Sequence, residues 1–141
     1  MPAFKTKLKI YSDGGARGNP GPAAIGVLIC NSKGEALKEH NEVIGEATNN
    51  VAEYTAVIVG LELAQNLGAE EIDYYVDSEL VAHQLSGKYR VKTPHILALF
   101  RQVKEKEKFF KHITFTQVPR THEKIRYVDK LVNQVLDREG Y

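Results

Sequence analysis

The hydrophobic pattern first changes period, from two to 3.6, near residue 50, and that change limits the possible folds more than any other feature of the chain. Before it, three runs read as strands. "KLKIYSD" alternates, with Leu8, Ile10 and Ser12 on one face and Lys9, Tyr11 and Asp13 on the other, so the first strand ends at or near Asp13. "AAIGVLIC" reads as the second strand, "NSKG" as a turn and "EALKEHNEVI" as the third, and connections this short make an antiparallel meander. After it, residues 50–67 read as a helix with Gly68 as its stop. "EIDYYVD" is a fourth strand ending at Asp77, followed by a short helix in "SELVAHQL" and a basic connector, "GKYRVK". Thr93 and Pro94 open a helix with Ile96, Leu99, Phe100 and Val103 at i, i+3, i+4 and i+7. "HITFTQV" is a fifth strand, and residues 125–138 a closing helix.

This order predicts an α/β fold: a five-stranded mixed sheet with helices packed on it. A right-handed crossover sets strands one and four parallel, with their carboxyl ends on one edge, which is where open sheets bind ligands. Asp13 and Asp77 both arrive at that edge. With 141 residues, 43% of them hydrophobic, the chain suits one domain over residues 1–141, with no need of disulfides or structural metal. A net charge of +1 gives no global basic field, so any nucleic-acid binding must come from local patches. The single cysteine, Cys30, lies in an apolar run, which argues against a disulfide framework and fits a reducing cytosol. No apolar leader and no run of about 18 apolar residues is present, so a soluble, cytoplasmic protein with no membrane partner is expected.

Two further acids draw notice. On a helical wheel Ala56, Val57, Gly60, Ala64 and Leu67 lie within about 60° of Glu53, and Thr55, Glu62 and Asn66 lie opposite, so Glu53 shares the sheet-facing stripe. A carboxylate there is costly to bury unless a donor or a cation meets it. Asn50 and Glu53 also match capping-box spacing, which would explain Glu53 locally. In the last helix Ile125, Val128, Val132, Val135 and Leu136 form the apolar stripe, and Asp129 stands at its margin, where a solvated surface residue is the ordinary explanation. Asp13 alone would pass for a turn residue, and Asp77 followed by Ser78 for a helix cap. Gathered at one edge, however, these carboxylates repel unless cations sit among them.

The segments "DGGARGNPG", "TNNVAEY", "VDSELV" and "VPRTH...VDKLVN" occur in the order and at the approximate spacing of type 1 ribonuclease H, and the whole chain resembles the compact bacterial and archaeal members. The resemblance implies an RNase H-like fold and an endonuclease that cuts the RNA strand of an RNA–DNA hybrid, leaving 5′-phosphate and 3′-hydroxyl ends. Asp13, Glu53, Asp77 and Asp129 then look like the family's acidic metal site. They would hold two hard cations about 4 Å apart, Mg²⁺ by preference with Mn²⁺ a possible substitute, to activate water and stabilise the leaving oxygen. Zinc is disfavoured, because no His or Cys accompanies these acids at ligand spacing. Gly14, Gly15 and Gly18 would let backbone approach the ribose and phosphate. Asn19, Asn49 and Asn50 resemble minor-groove contacts that meet the 2′-hydroxyl, Thr48 resembles a hydroxyl seating a DNA-strand phosphate, and Ser78 also resembles a substrate contact. His122, in the loop before the last helix, matches a mobile histidine that assists proton transfer or product release.

Some positions depart from the family. The stretch from His122 to Asp129 is longer than in the compact members, which implies an inserted loop. Glu79 stands where some relatives have a glutamine contacting substrate, and Glu46 where some have a basic residue. The chain has no Trp, and where larger relatives carry a basic protrusion it has only Lys88, Arg90 and Lys92, so hybrid binding is expected to be weaker and more salt-sensitive. Nothing in the pattern calls for more than a monomer. Junction resolvases and integrase-like nucleases share such acids, but the glycine and Thr-Asn-Asn segments point away from them. The other alternative is a non-catalytic module binding hybrid or double-stranded RNA on the same fold.

Overall fold

The computed structural model describes residues 6–141. Nine elements follow in chain order: β1 (Lys7–Ala16), β2 (Gly21–Asn31), β3 (Ala36–Ala47), α1 (Asn49–Asn66), β4 (Glu71–Val76), α2 (Glu79–Leu85), α3 (Pro94–Glu107), β5 (His112–Gln117) and α4 (Glu123–Arg138). The strands form one mixed sheet in the order β3-β2-β1-β4-β5. β1, β2 and β3 make the antiparallel meander, and β4 and β5 join parallel to β1. The expected five-stranded α/β architecture is therefore present, with the crossovers running through helices.

One difference from the sequence pattern bears on the site. β1 does not end at Asp13 but pairs with β2 as far as Ala16 opposite Ala23. Its parallel pairing with β4 stops earlier, at Tyr11 opposite Tyr75. Alternation could not distinguish these two edges, because Tyr11, Ser12 and Asp13 are all buried by layers on both faces. The result is a fork: Asp13 stands two residues past the last β1–β4 pair, where the sheet opens.

Side chains of alternating parity feed the two faces. Leu8, Ile10, Val27, Ile29, Ile72, Tyr74 and Val76 pack with Tyr54, Val57 and Leu61 of α1, with Val103 of α3 on the same side. Tyr11, Leu28 and Cys30 pack on the other side against Ile125, Val128 and Leu131 of α4, and Ala24 meets Val132, Val135 and Leu136 beyond them. Two buried hydroxyls are satisfied within the larger core. Tyr74 donates to Ser12 Oγ at 2.8 Å, and Tyr54 donates to Gln84 Oε1 at 2.7 Å, tying α1 to α2.

α1 buries nine of its residues, more than one stripe, because sheet and α3 cover different sides of it. Ala56, Val57, Gly60 and Ala64 face inward as the wheel placed them. Leu67 does not: it is the C-cap, and at 42% exposure it has left the stripe where the helix ends. α4 buries the expected five apolar residues and Leu131 as well, and starts two residues earlier than its periodicity indicated. No helix among the described residues is long and apolar enough to cross a membrane.

Candidate active site

Three acids from three elements meet at the fork. Asp13 comes from β1, Asp77 is the first residue past β4, and Glu53 points from the second turn of α1. Each offers an oxygen, and these oxygens lie within 4.8 Å of one another. The local explanation for Glu53 does not hold. The N-cap of α1 is Thr48, whose Oγ1 accepts from the Val51 N–H at 3.2 Å, so Asn50 lies inside the helix and no capping box forms. Glu53 instead lies past the first turn, buried at the sheet edge beside Asp13, 8% exposed.

Glycines make this approach possible. A Cβ on Gly14 would run into the carbonyl of Ala52 and would lie 2.6 Å from the Glu53 nitrogen. No side chain fits there, so the residue after Asp13 lets the α1 backbone press against β1 and carry Glu53 to it. The opposite face repeats the device. Gly26 is the register partner of Asp13, and a Cβ on it would sit 2.5 Å from the Val128 carbonyl oxygen of α4. That contact brings the next residue, Asp129, to the same cleft. Asp129 is exposed and stands outside the close trio. The added length before it is not a loop: residues 123–129 are helical, and seven residues at 1.5 Å place His122 roughly 10 Å back along the axis.

Burial and crowding dominate the electrostatics. Desolvation raises the Asp13 pKa from 3.8 to about 7; a hydrogen bond with Glu53 opposes this, while the charges of Asp77 and Asp129 add to it. Burial drives Glu53 well above the usual carboxylate range too, and Asp13 reinforces the shift. Without a cation, both carboxyls of the buried pair are therefore harder to ionise than ordinary surface acids. Glu53 Oε2 is buried with no hydrogen-bond partner, an orphaned acceptor at the centre of an all-oxygen set. Hard divalent cations suit these donors, so the residues present fit a metal site.

A cleft of 420 Å³ holds Asp13, Gly14, Asn49, Asn50, Glu53, Asp77, Ser78, Arg120 and Asp129. Asn49 ties the cleft to the turn after β1: its Oδ1 accepts from Ala16 N–H at 2.9 Å, and its backbone N–H donates to Asn19 Oδ1 at 3.0 Å. Asn50 is exposed in the cleft. Ser78 caps α2, its Oγ accepting from the Val81 N–H at 3.2 Å. Gly18 and Asn19 lie in the turn after β1, and Gly15 faces Val132 of α4 at 3.8 Å from a Cβ position. Arg17 holds that turn to α4 by an ion pair with Asp137 at 2.7 Å. His122 does not line the cleft; it is the N-cap of α4.

Arg120 was not picked out from the sequence. Its Nε lies 3.5 Å from Asp77 Oδ2, and it is the sole cation among the residues lining the cleft. The available signal was a basic residue just past β5, since β5 runs parallel to β4 and delivers its end to the same edge.

Residues 11–135 match the family described as reverse transcriptase-like. Ribonuclease HI of Halobacterium salinarum is 39% identical over 132 residues, which are 93% of this chain and 65% of that protein. The bifunctional protein Rv2228c of Mycobacterium tuberculosis is 42% identical over 132 residues, again 93% of this chain but only 36% of that protein. The chain thus spans little more than a third of the mycobacterial relatives it matches. Among solved structures, the N-terminal RNase H domain of rv2228c from Mycobacterium tuberculosis, fused to maltose binding protein, superposes with a TM-score of 0.90 at 42% identity, covering 94% of this chain and 95% of that one. LC11-RNase H1 in complex with an RNA/DNA hybrid gives 0.88 at 42% identity, covering 94% and 98%. By the family match and these superpositions, the chain belongs to the reverse transcriptase-like family and has the type 1 ribonuclease H fold.

Proposed function

We propose that the chain is a ribonuclease H, a metal-dependent endonuclease that hydrolyses the RNA strand of an RNA–DNA hybrid to 5′-phosphate and 3′-hydroxyl ends, with residues 1–141 acting as one domain. The observation that carries this is the convergence of Asp13, Glu53 and Asp77 within 4.8 Å, with a buried, unpartnered Glu53 oxygen among them. A cleft so rich in carboxylates repels phosphate unless cations intervene. Relatives carrying the name ribonuclease HI, and a neighbour solved with an RNA/DNA hybrid, support the substrate class.

Asp13, Glu53 and Asp77 would hold the metal, with Asp129 completing the set from the open side. Two Mg²⁺ ions, when bound there, supply an activated water and charge stabilisation at the leaving 3′ oxygen. Buried Asp13 and Glu53 would hold the metal from the inner side, where they exclude solvent. Asn50 and the turn at Gly18 and Asn19 present amides toward the minor groove, where a 2′-hydroxyl distinguishes RNA from DNA. Arg120, with its side chain 91% exposed, partly offsets the charge of Asp77 at 3.5 Å.

The test is a cleavage assay on RNA, DNA and hybrid duplexes with Mg²⁺ and Mn²⁺ titrations, alongside D13N. Cutting confined to the RNA strand of the hybrid, dependent on metal and lost in D13N, is expected. A non-catalytic binding module would cut nothing with either protein, and that outcome refutes the proposal.

A further inference from the structure

The place of His122 departs from the role its resemblance implied. Its Nδ1 accepts the Lys124 N–H at 3.1 Å, so the nitrogen lone pair is used to cap α4. Its carbonyl accepts the Arg126 N–H at 2.9 Å, the first bond of the helix, and its own N–H donates to Pro119 at 2.9 Å. One face of the ring stacks on Tyr11, with centroids 5.4 Å apart and planes at 28°, and Tyr11 stacks in turn on Tyr75 at 4.9 Å. Tyr11 lies two residues before Asp13 on β1. Two turns further along α4, the Val128 carbonyl rests on Gly26, the β2 partner of Asp13. The segment from His122 to Val128 is therefore held at one end by the Tyr11 ring, two residues before Asp13, and at the other by the backbone of Gly26, the register partner of Asp13, and Asp129 follows directly.

We propose that His122 is a positioning residue: by capping α4 against Tyr11 it sets where the helix begins, and so where Asp129 stands against Asp13, without carrying a proton in the reaction. This rests on the ribonuclease H reading above and assigns His122 a different place in it. For Nδ1 to act as a base the cap must break, and the stacked ring lies outside the cleft that holds the acids. Asparagine is a good N-cap acceptor but has no titratable imidazole. It therefore separates the two roles.

The experiment compares wild type, H122A, H122N, D129N and H122A/D129N by three readouts: amide hydrogen exchange at Lys124, Mn²⁺ binding by calorimetry, and hybrid cleavage. In H122A, loss of the cap should cut Lys124 protection by roughly tenfold, weaken Mn²⁺ binding and slow cleavage. H122N should recover most of all three, and H122A/D129N should be no slower than D129N, because both changes act on the same carboxylate. A rate for H122N as low as that of H122A, or losses that multiply in the double variant, would overturn the proposal. So would unchanged Lys124 exchange and Mn²⁺ affinity in H122A. If wild type cuts no hybrid, the functional reading fails by itself, and the exchange and Mn²⁺ measurements still decide the role of His122.

Discussion

Helices α1 and α4 sit on opposite faces of one sheet, and each delivers an acid to Asp13, but they hold that acid differently. α1 lies between sheet and α3, has a conventional Thr48 cap, and buries Glu53 without a partner for one oxygen. α4 is covered on one side only, is capped by a histidine that also stacks on β1, and leaves Asp129 exposed. A buried acid is fixed in place at the cost of desolvation; an exposed acid keeps its charge cheaply but depends on its helix for position. Glu53 is thus the buried acid of the cleft and Asp129 the exposed one at its rim.

The comparison breaks first at the buried side. E53Q, D13N and D77N should each lower hybrid cleavage by about 10³-fold or more, roughly 4 kcal/mol of barrier, while far-UV circular dichroism shows an intact fold. Cleavage within tenfold of wild type for any of them would remove that residue from the site. Next come the two glycines. G14A drives a methyl into the Ala52 backbone of a helix backed by α3 and should cost about 3 kcal/mol, whereas G26A presses on α4, which among the described residues has no further layer outside it, and should cost nearer 2 kcal/mol in urea unfolding. An equal or reversed order would show that α4 is held as firmly as α1.

At the rim, D129N should slow cleavage by roughly 10- to 100-fold, about 1.4 to 2.7 kcal/mol, with loss incomplete because Asp129 stands outside the close trio. Abolition would place it among the inner ligands. Acid dependence separates the sides further. Asp13 has a folded pKa of about 7, above its unfolded value, so its contribution to stability is complete below about pH 4 and is lost as pH rises toward 7. Glu53 shifts the same way. The metal-free protein should thus melt at a lower temperature at pH 8 than at pH 5; D13N should flatten this fall and divalent cations should reverse it. A melting temperature independent of pH would mean the pair is not strained. The smallest stability effect expected is that of T48A, about 1 kcal/mol from the lost α1 cap, measured by urea denaturation.

Much of this arrangement could be read before any coordinates. Element order and type followed from periodicity, and Asp13, Asp77 and Glu53 were placed at one edge by strand ends and a helical wheel. What misled was local: Asn50 and Glu53 match a capping box, yet Thr48 takes the cap, which puts Asn50 inside the helix and Glu53 past its first turn at the sheet edge. The extra residues before Asp129 suggested a loop because spacing carries no conformation, and here they extend a helix. Arg120 escaped notice because a single basic residue in "VPRTH" has no pattern; only the parallel pairing of β4 and β5 brings it to Asp77.

The sequence by itself determined the α/β order, the split of apolar residues between two sheet faces, and the acids available, since these depend on period and residue type along the chain. Only the tertiary structure decided how closely the acids meet, which of them is buried, and that Gly14 and Gly26 serve helix approach on opposite faces. The reason is distance: oxygens within 4.8 Å come from residues 13, 53 and 77, and such gaps are set by how backbones press together across the sheet, which no spacing along a chain encodes.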